Sequence, residues 1–393
     1  MKRTTSGRLA PTALATALSA TAAAAHSADA PTSAPPPPGE LLASHVITIT
    51  GTRERRLLSE TPESVGIIGE KDIRLTGPMH PQQILGQIPG VAVGVTNGEG
   101  HTTAIRQPFT TGPLYLYLED GIPTRATGFF NHNALYEVDI PAAGRIEVVR
   151  GPGSALYGSD AIGGMVNVLT RAPAIEPEAT LSGEVGSFGW RRLLVDGSGP
   201  VGDGAVRGAV NVTRTDGWRD ATAYERQSAN VRWDAPFGAA LAKTIFGLTH
   251  IDQQTGANSP LSEADYRDRP TRNNMPIAFR KVKAARLSSE IEHEAGASLY
   301  SLTPYLRFNA MDLNGTFNLA FDPRIERSQV ASVGMLAKWR RDFAGPARPR
   351  LIAGVDVDHS PGEREEDGLV LTRTGTGADT VYAGYAIGNR IYD

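Results

Sequence analysis

Residues 146–170 read Ile146-Glu147-Val148-Val149-Arg150-Gly151-Pro152-Gly153-Ser154-Ala155-Leu156-Tyr157-Gly158-Ser159-Asp160-Ala161-Ile162-Gly163-Gly164-Met165-Val166-Asn167-Val168-Leu169-Thr170. Two runs rich in Val, Ile and Leu, at 146–150 and 165–169, flank a stretch dominated by glycine and one proline. That order predicts strand, tight turns, strand. The glycines do not form a phosphate loop. Gly151, Gly153 and Gly158 lack the Gly-x-Gly-x-x-Gly spacing, and no Gly-Lys-Ser/Thr follows them. Glycine in such a place permits positive φ and close approach of backbone to its neighbours.

Upstream, the pattern is that of a small α+β domain. Glu70-Lys71-Asp72-Ile73 opens a short helix, and His80–Ile88 places Ile84, Leu85 and Ile88 at helical spacing before Pro89-Gly90 stops it. Val91, Val93 and Val95 alternate as a strand, Leu114–Leu118 alternates Leu with Tyr, and Glu119-Asp120-Gly121 supplies a turn. Further back, His45–Arg53 alternates β-branched residues. Two readings of it stand side by side. It is the first strand of the following domain, or an isolated strand with unpaired edges suited to joining a partner's sheet.

Lys2, Arg3 and Arg8 precede the small, mildly apolar stretch Leu9–Ala25, which reads as a secretory signal cut near Ala25 or Ala28, or else as an Ala-rich tail. Pro31 and the run Pro35–Pro38 then make a polyproline II spacer. Across all 393 residues there is no cysteine, which removes disulfides, thiolate zinc sites and Cys nucleophiles together. A net charge of −3 argues against a nucleic-acid binder. Past the N-terminus no apolar run reaches the roughly 18 residues of a membrane helix, although a transmembrane β-barrel stays open.

After Ala172-Pro173 the chain changes character. Alternating stretches predict strands near 180–186, 191–199, 205–215, 224–234, 240–252, 279–292, 298–310, 328–341, 350–358 and 380–392. Trp190, Trp218, Tyr224, Trp233 and Trp339 fall near their ends, as interface girdles would require, and Gln253–Pro276 reads as a long extracellular loop. These are about ten strands, whereas a plugged transporter barrel has about 22. His293-Glu294 begins like a zinc-protease helix but has Ala297 where the second His must stand. Asp356, Asp358, His359 and the acidic run Glu363–Asp367 read as a solvated loop rather than a cation site. No nucleophile-and-base set emerges. No catalytic residue, metal site or cofactor is therefore expected, and the chain is not read as an enzyme.

The stretch 146–170 closely resembles the plug signature of TonB-dependent outer-membrane receptors. Residues Leu85–Val93 look like that family's helix-to-strand element, Leu116–Pro123 like its central hairpin strand, and Val46–Thr52 like its TonB box. One departure is Gln107-Pro108 after Ile105-Arg106, where the family usually has Gly. The resemblance implies an α+β plug domain followed by antiparallel transmembrane β-barrel strands, the barrel being incomplete. The expected order is signal peptide 1–28, Pro-rich spacer 29–44, TonB box 45–53, plug 54–172 and partial barrel 173–393, an N-terminal portion of a receptor. It implies a TonB box at Val46, Ile47, Thr48, Ile49 and Thr50. The plug signature falls on Arg150, Gly151, Pro152, Ser154, Ala155, Tyr157, Gly158, Gly163, Gly164 and Asn167. Arg106 and Arg150 resemble plug arginines that pair with glutamates in late barrel strands, without which the plug would be held less firmly. Substrate-facing positions are expected at Thr111, Arg125, Phe129, Phe130 and His132, with packing inside the plug the other reading for Phe129 and Phe130.

The implied function is TonB-dependent transport of a scarce nutrient across the outer membrane of a Gram-negative bacterium, with a ferric siderophore or other iron complex as cargo. Cobalamin, haem and carbohydrate are the alternatives within the class. A non-energised porin or adhesin, or an outer-membrane enzyme, lies outside it. Implied partners are TonB with the inner-membrane energy-coupling complex, the small-molecule ligand and outer-membrane lipid, with no nucleic acid.

Overall fold

The structure, a computed structural model, describes residues 46–127, 134–256, 259–346 and 349–392. The expected signal peptide, the spacer, and Phe129, Phe130 and His132 lie outside the described residues.

The first domain is built on a five-stranded sheet. Chain order runs through β1 (Ile47–Thr48), β2 (Arg56–Leu57), β3 (Val65–Gly69), helix α1 (Glu70–Thr76), α2 (Pro81–Leu85), β4 (Val91–Asn97), β5 (Gly100–Ile105), β6 (Tyr115–Glu119), β7 (Ile122–Pro123), β8 (Ala143–Val149), α3 (Ser154–Tyr157) and β9 (Gly164–Thr170). The sheet order is β3-β8-β9-β6-β7, with β6 and β9 parallel and the other pairs antiparallel. The β1–β2 and β4–β5 pairs stand apart from it. Local chemistry explains the helices. Glu70 and Asp72 sit in the first turn of α1 and Arg74 in its last, complementing the helix dipole, and Gly77 at φ +51° ends it. His80 caps α2 and Pro81 opens it. Asp120 (φ +49°) and Gly121 (φ +83°) make the two-residue turn of the β6–β7 hairpin, a conformation that favours Asp-Gly.

Period-two alternation gives the sheet two faces. Ile146, Val148, Val166, Val168 and Tyr117 point to the larger core with Ile84, Leu85 and Ile105. Val149, Met165, Leu116 and Leu118 point the other way, with Val65. Glu147 and Asn167 share this second face by register, an acid and an amide in the middle of an apolar sheet.

The second domain is one antiparallel sheet. Its strands are β10 (Glu178–Val185), β11 (Arg191–Val201), β12 (Gly204–Thr215), β13 (Tyr224–Phe237), β14 (Ala240–Gln254), β15 (Phe279–Ala295), β16 (Ser298–Asn314), β17 (Arg324–Asp342), β18 (Arg350–His359), β19 (Gly362–Thr374) and β20 (Val381–Tyr392). Each of the ten expected stretches is a strand. The correction is β19, which covers the acidic run Glu363–Asp367 read from sequence as a loop. There Glu365 and Asp367 lie between Arg327 and Arg390 on the neighbouring strands, so a run that looks soluble is a charge-paired ladder. β18 and β19 continue in one register against β17, with Val333 opposite His359 and Val330 opposite Gly362. They are two halves of one lane, divided at Pro361, which has no N–H to give. The eleven segments therefore make ten lanes. β10 and β20, at the two edges, are not paired to each other, so the sheet is open.

The wall is inverted relative to a water-soluble sheet. On β16, Leu306 is 53% exposed while the adjacent Arg307 is 2% exposed. Tyr300 and Leu302 likewise face out, and Ser301, Thr303 and Asn309 face in. Apolar outside and polar inside is the pattern of a strand wall between lipid and a filled lumen. Trp233 and Trp339 face out as a girdle requires, but Tyr224 is turned inward and buried against the plug. Turns at 201–204, 237–240 and 295–298 join the strands at one end, and the longer connection carrying helix α4 (Glu263–Asp268) lies at the other.

Candidate functional site

The expected TonB box is folded against the plug. β1 pairs with β2, Ile47 opposite Leu57 and Thr48 opposite Arg56. Thr48 and Thr50 are both fully buried. This corrects the expectation of an isolated strand with two free edges, because the regular strand is only Ile47–Thr48 and one edge is taken. The Val46 carbonyl accepts from Leu58 N, just past β2, at 2.7 Å.

What holds the segment is one carboxylate oxygen. Glu147 Oε2, on the middle of β8, accepts from Thr48 Oγ1 at 2.8 Å, Ile49 N at 3.0 Å, Thr50 N at 2.8 Å and Thr50 Oγ1 at 2.7 Å. Hydrogen bonds to an ionised acceptor are the stronger kind, and burial raises their weight. Two signature residues complete the seat. Tyr157 OH donates to Thr50 O at 3.0 Å, and Asn167 Nδ2 donates to Thr50 Oγ1 at 3.0 Å. Burial pushes the Tyr157 phenol well above its ordinary range, so the proton it donates is retained. Arg145 donates to Ile47 O at 2.5 Å.

The next residues are tied to the wall. Arg53 pairs with Asp356 on β18 at 2.6 Å and donates to Leu156 O at 2.6 Å, with its guanidinium 5.0 Å from the Tyr157 ring centre. Lys338 Nζ donates to Arg53 O at 2.9 Å, and Glu54 meets Arg350 at 2.9 Å. Asp356, which falls in the expected strand 350–358 although its acidic neighbourhood also read as solvated, anchors the chain just after the docked segment.

Wall arginines on β11, β12, β13 and β16 clasp the plug backbone. Arg192 donates to Pro78 O at 2.7 Å, Arg207 to Ala172 O at 2.8 Å, Arg226 to Tyr136 O and Val138 O at 2.9 and 2.8 Å, and Arg307 to Pro123 O at 2.7 Å. Arg226 and Tyr224 also bind Glu99, at the tip of the β4–β5 hairpin. The densest contact is at Glu137, in the 3-10 turn Ala134–Glu137. Its carboxylate accepts from Arg125 Nε at 2.6 Å, Arg286 at 2.7 Å and Asn309 at 2.6 Å. Arg286 reaches Glu119 as well, at 2.9 Å. Apart from Arg125–Glu137, 12 residues apart, and Arg207–Ala172, 35 apart, the partners lie 88 or more residues from one another, which puts them beyond any local sequence pattern.

The structure disperses the expected substrate-facing set. Arg125 is buried, bound to Glu137 and to Tyr136 OH, and does not face solvent. Thr111 is exposed, in the loop between β5 and β6. Arg106 and Arg150 lie together. Arg106 donates to Arg150 O at 3.2 Å and to Ser64 Oγ at 3.0 Å, and Arg150 donates to Pro89 O at 2.8 Å. Desolvation, and after it the neighbouring Arg106 charge, pulls the Arg150 pKa down. Among the described residues neither makes an ion pair. They sit at the end of the sheet opposite to Asp120 and Thr170, where wall contacts from Lys243 and Arg232 gather. Of the signature glycines, Gly164 is needed for contact: a Cβ there would lie 2.7 Å from Val149 O. Gly158 needs its φ of +76°.

Comparison with known proteins agrees with this geometry. The family model described as TonB-dependent Receptor Plug Domain matches residues 58–165. The vitamin B12 transporter BtuB of Vibrio vulnificus (strain CMCP6) is 26% identical over 332 residues, 77% of this chain and 51% of that protein. The chain therefore spans about half the length of that relative. Among solved structures, the pyoverdine outer-membrane receptor FpvA from Pseudomonas aeruginosa PAO1 shares the fold at a TM-score of 0.70 and 15% identity, over 88% of this chain and 54% of that one. The unliganded ferric citrate transporter FecA does so at 0.65 and 19%, over 84% and 51%.

Proposed function

The chain belongs to the TonB-dependent outer-membrane receptors, and on that premise we propose that it serves energised uptake of a scarce nutrient, an iron complex such as a ferric siderophore. The observation that carries this reading is the seat of Val46–Thr50. A short segment at the start of the described chain is held on the plug by polar contacts that converge on Glu147, with Arg53 and Glu54 anchored behind it. Such a segment has two discrete states, docked and free, and its backbone groups pair with another strand when free. The partner proposed for the free state is TonB with the inner-membrane energy-coupling complex. Substrate is proposed to bind over the plug, between its loops and the barrel wall, and to shift the balance toward release. Arg106 and Arg150 are proposed to face glutamates of further wall strands; Arg106 is exposed and Arg150 half-buried, and neither makes an ion pair among the described residues.

Cobalamin is a second reading, favoured by the match to BtuB over most of the chain. Both are tested by accumulation of radiolabelled ferric siderophore and of radiolabelled cobalamin in cells carrying the intact gene, with and without TonB. Accumulation of the iron complex that vanishes without TonB is the expected result. Cobalamin accumulation alone would select the second reading, and uptake that is equal in both strains would refute energised transport.

A further inference from the structure

We propose that Glu147 is the positioning residue that keeps Val46–Thr50 docked, and that Asn167 makes this hold conditional on the β6–β7 turn, which the wall clamps through Arg286. The inference rests on the reading of 46–50 as the TonB-binding segment and names its control.

Proton inventory fixes how the parts connect. The Thr50 hydroxyl has one proton and gives it to Glu147 Oε2, so toward Asn167 it only accepts. The Asn167 amide must therefore present Nδ2 to Thr50, which turns Oδ1 the other way. Oδ1 accepts from Gly121 N at 3.1 Å, and a backbone N–H can only donate. One side chain thus spans the docked segment and the turn, in a single orientation. Asn167 lies on β9 between Glu147 on β8 and Leu118 on β6, so it is the cross-piece of the sheet at this level.

The turn itself does not float. Glu119, two residues before Gly121, is held by Arg286 of β15 at 2.9 Å. The same guanidinium holds Glu137 at 2.7 Å, from a plug segment that is remote in sequence from the turn. Arg286 is therefore shared between two carboxylates of the plug, and displacement of the Glu137 turn or of β15 alters its grip on Glu119. The route from wall to segment is Arg286, Glu119, Gly121, Asn167 and Thr50, each step a hydrogen bond or two peptide bonds. The alternative is that Asn167 is a satisfied core amide and nothing more. In that case a change at Glu119 leaves the segment untouched.

The chain has no cysteine, so Ile49→Cys gives a single nitroxide site, half-buried and carried by the segment itself. Its mobility is read by electron paramagnetic resonance in isolated outer membranes, with trypsin resistance of the plug as the folding control. Glu147→Gln is expected to raise the mobile-to-immobile ratio by about tenfold or more, since four hydrogen bonds to a charged oxygen are weakened together. The Thr48→Val, Thr50→Val pair leaves the sheet intact and is expected to do the same. Asn167→Ala and the remote Glu119→Gln are expected to raise the ratio by roughly threefold, one shared hydrogen bond being lost. An unchanged spectrum in both Glu147→Gln and the threonine pair overturns the proposal. Release in Asn167→Ala with no change in Glu119→Gln overturns the link to the wall. Adding the purified periplasmic domain of TonB separates this from the functional reading: a freed label without TonB binding leaves the latch standing and refutes 46–50 as the TonB-binding segment.

Discussion

Replacing Glu137 by Ala tests whether the buried charge cluster fastens the plug to the wall. The carboxylate is 1% exposed and accepts from Arg125, Arg286 and Asn309. Its removal affects the three donors unequally. Arg286 keeps Glu119 and Asn309 keeps the Thr124 carbonyl at 3.2 Å, but Arg125 loses its carboxylate while its side chain is 2% exposed. Breaking a buried pair in this way costs about 3–5 kcal/mol. Arg125 retains the Tyr136 hydroxyl at 2.5 Å and its ring, which sets the expectation at the low end, about 3 kcal/mol. That is a change of roughly 150-fold in the opening equilibrium of this part of the plug. Limited proteolysis in isolated outer membranes reads it, because cleavage follows the open population when reclosing is fast. Glu137→Leu combined with Arg125→Met removes both charges and is expected to recover at least half of the loss, since the cost lies in the stranded guanidinium. A change below about fivefold for Glu137→Ala would refute the reasoning, as would a double variant as labile as the single one.

His80 and Gly164 give two further tests. His80 Nε2 faces Gly100 O at 3.1 Å and Nδ1 accepts from Gln82 N at 3.0 Å, so the ring is neutral and burial lowers its pKa below 6.5. The unfolded chain then binds a proton that the folded one refuses, so this contribution is complete above pH 6.5 and is lost as pH falls below it. His80→Asn, which keeps a capping acceptor, is expected to flatten the plug's stability between about pH 7 and 5, followed by denaturant midpoints; an unaltered slope would count against it. Gly164→Ala puts a Cβ 2.7 Å from Val149 O and 2.8 Å from Ile105 Cδ1, and is expected to cost about 1–3 kcal/mol in the same measurement. Gly183→Ala meets nothing within 4 Å, and its midpoint is expected to stay put.

Alternation made the wall legible, because a strand between lipid and a polar lumen must change character at every residue. It failed where both faces carry charge, at Gly362–Thr374, since Glu363–Asp367 shows no hydropathy contrast between alternate residues, and Glu365 and Asp367 find their arginines only across strands. The helix caps and the Asp120-Gly121 turn were legible for the same reason, being written in neighbouring residues. The seat of Val46–Thr50 was not. Glu147 looks like one polar residue in an apolar run, and its meaning depends on threonines 97 to 99 positions upstream. Arg125 shows the converse error: an arginine in a loop suggests exposure, yet its partner Glu137 is buried beside it.

The position of β3 at the edge of its sheet has a mechanical consequence. Once the contacts of residues 47–54 have parted, tension on the chain ahead of Val65 loads the β3–β8 ladder first, five residue pairs long, whereas β8, β9 and β6 remain joined by ladders that this tension does not cross. A tug at the N-terminal side therefore strips one layer and spares the rest. Loss of that margin leaves β8, β9 and β6 paired as a template on which β3 can re-form.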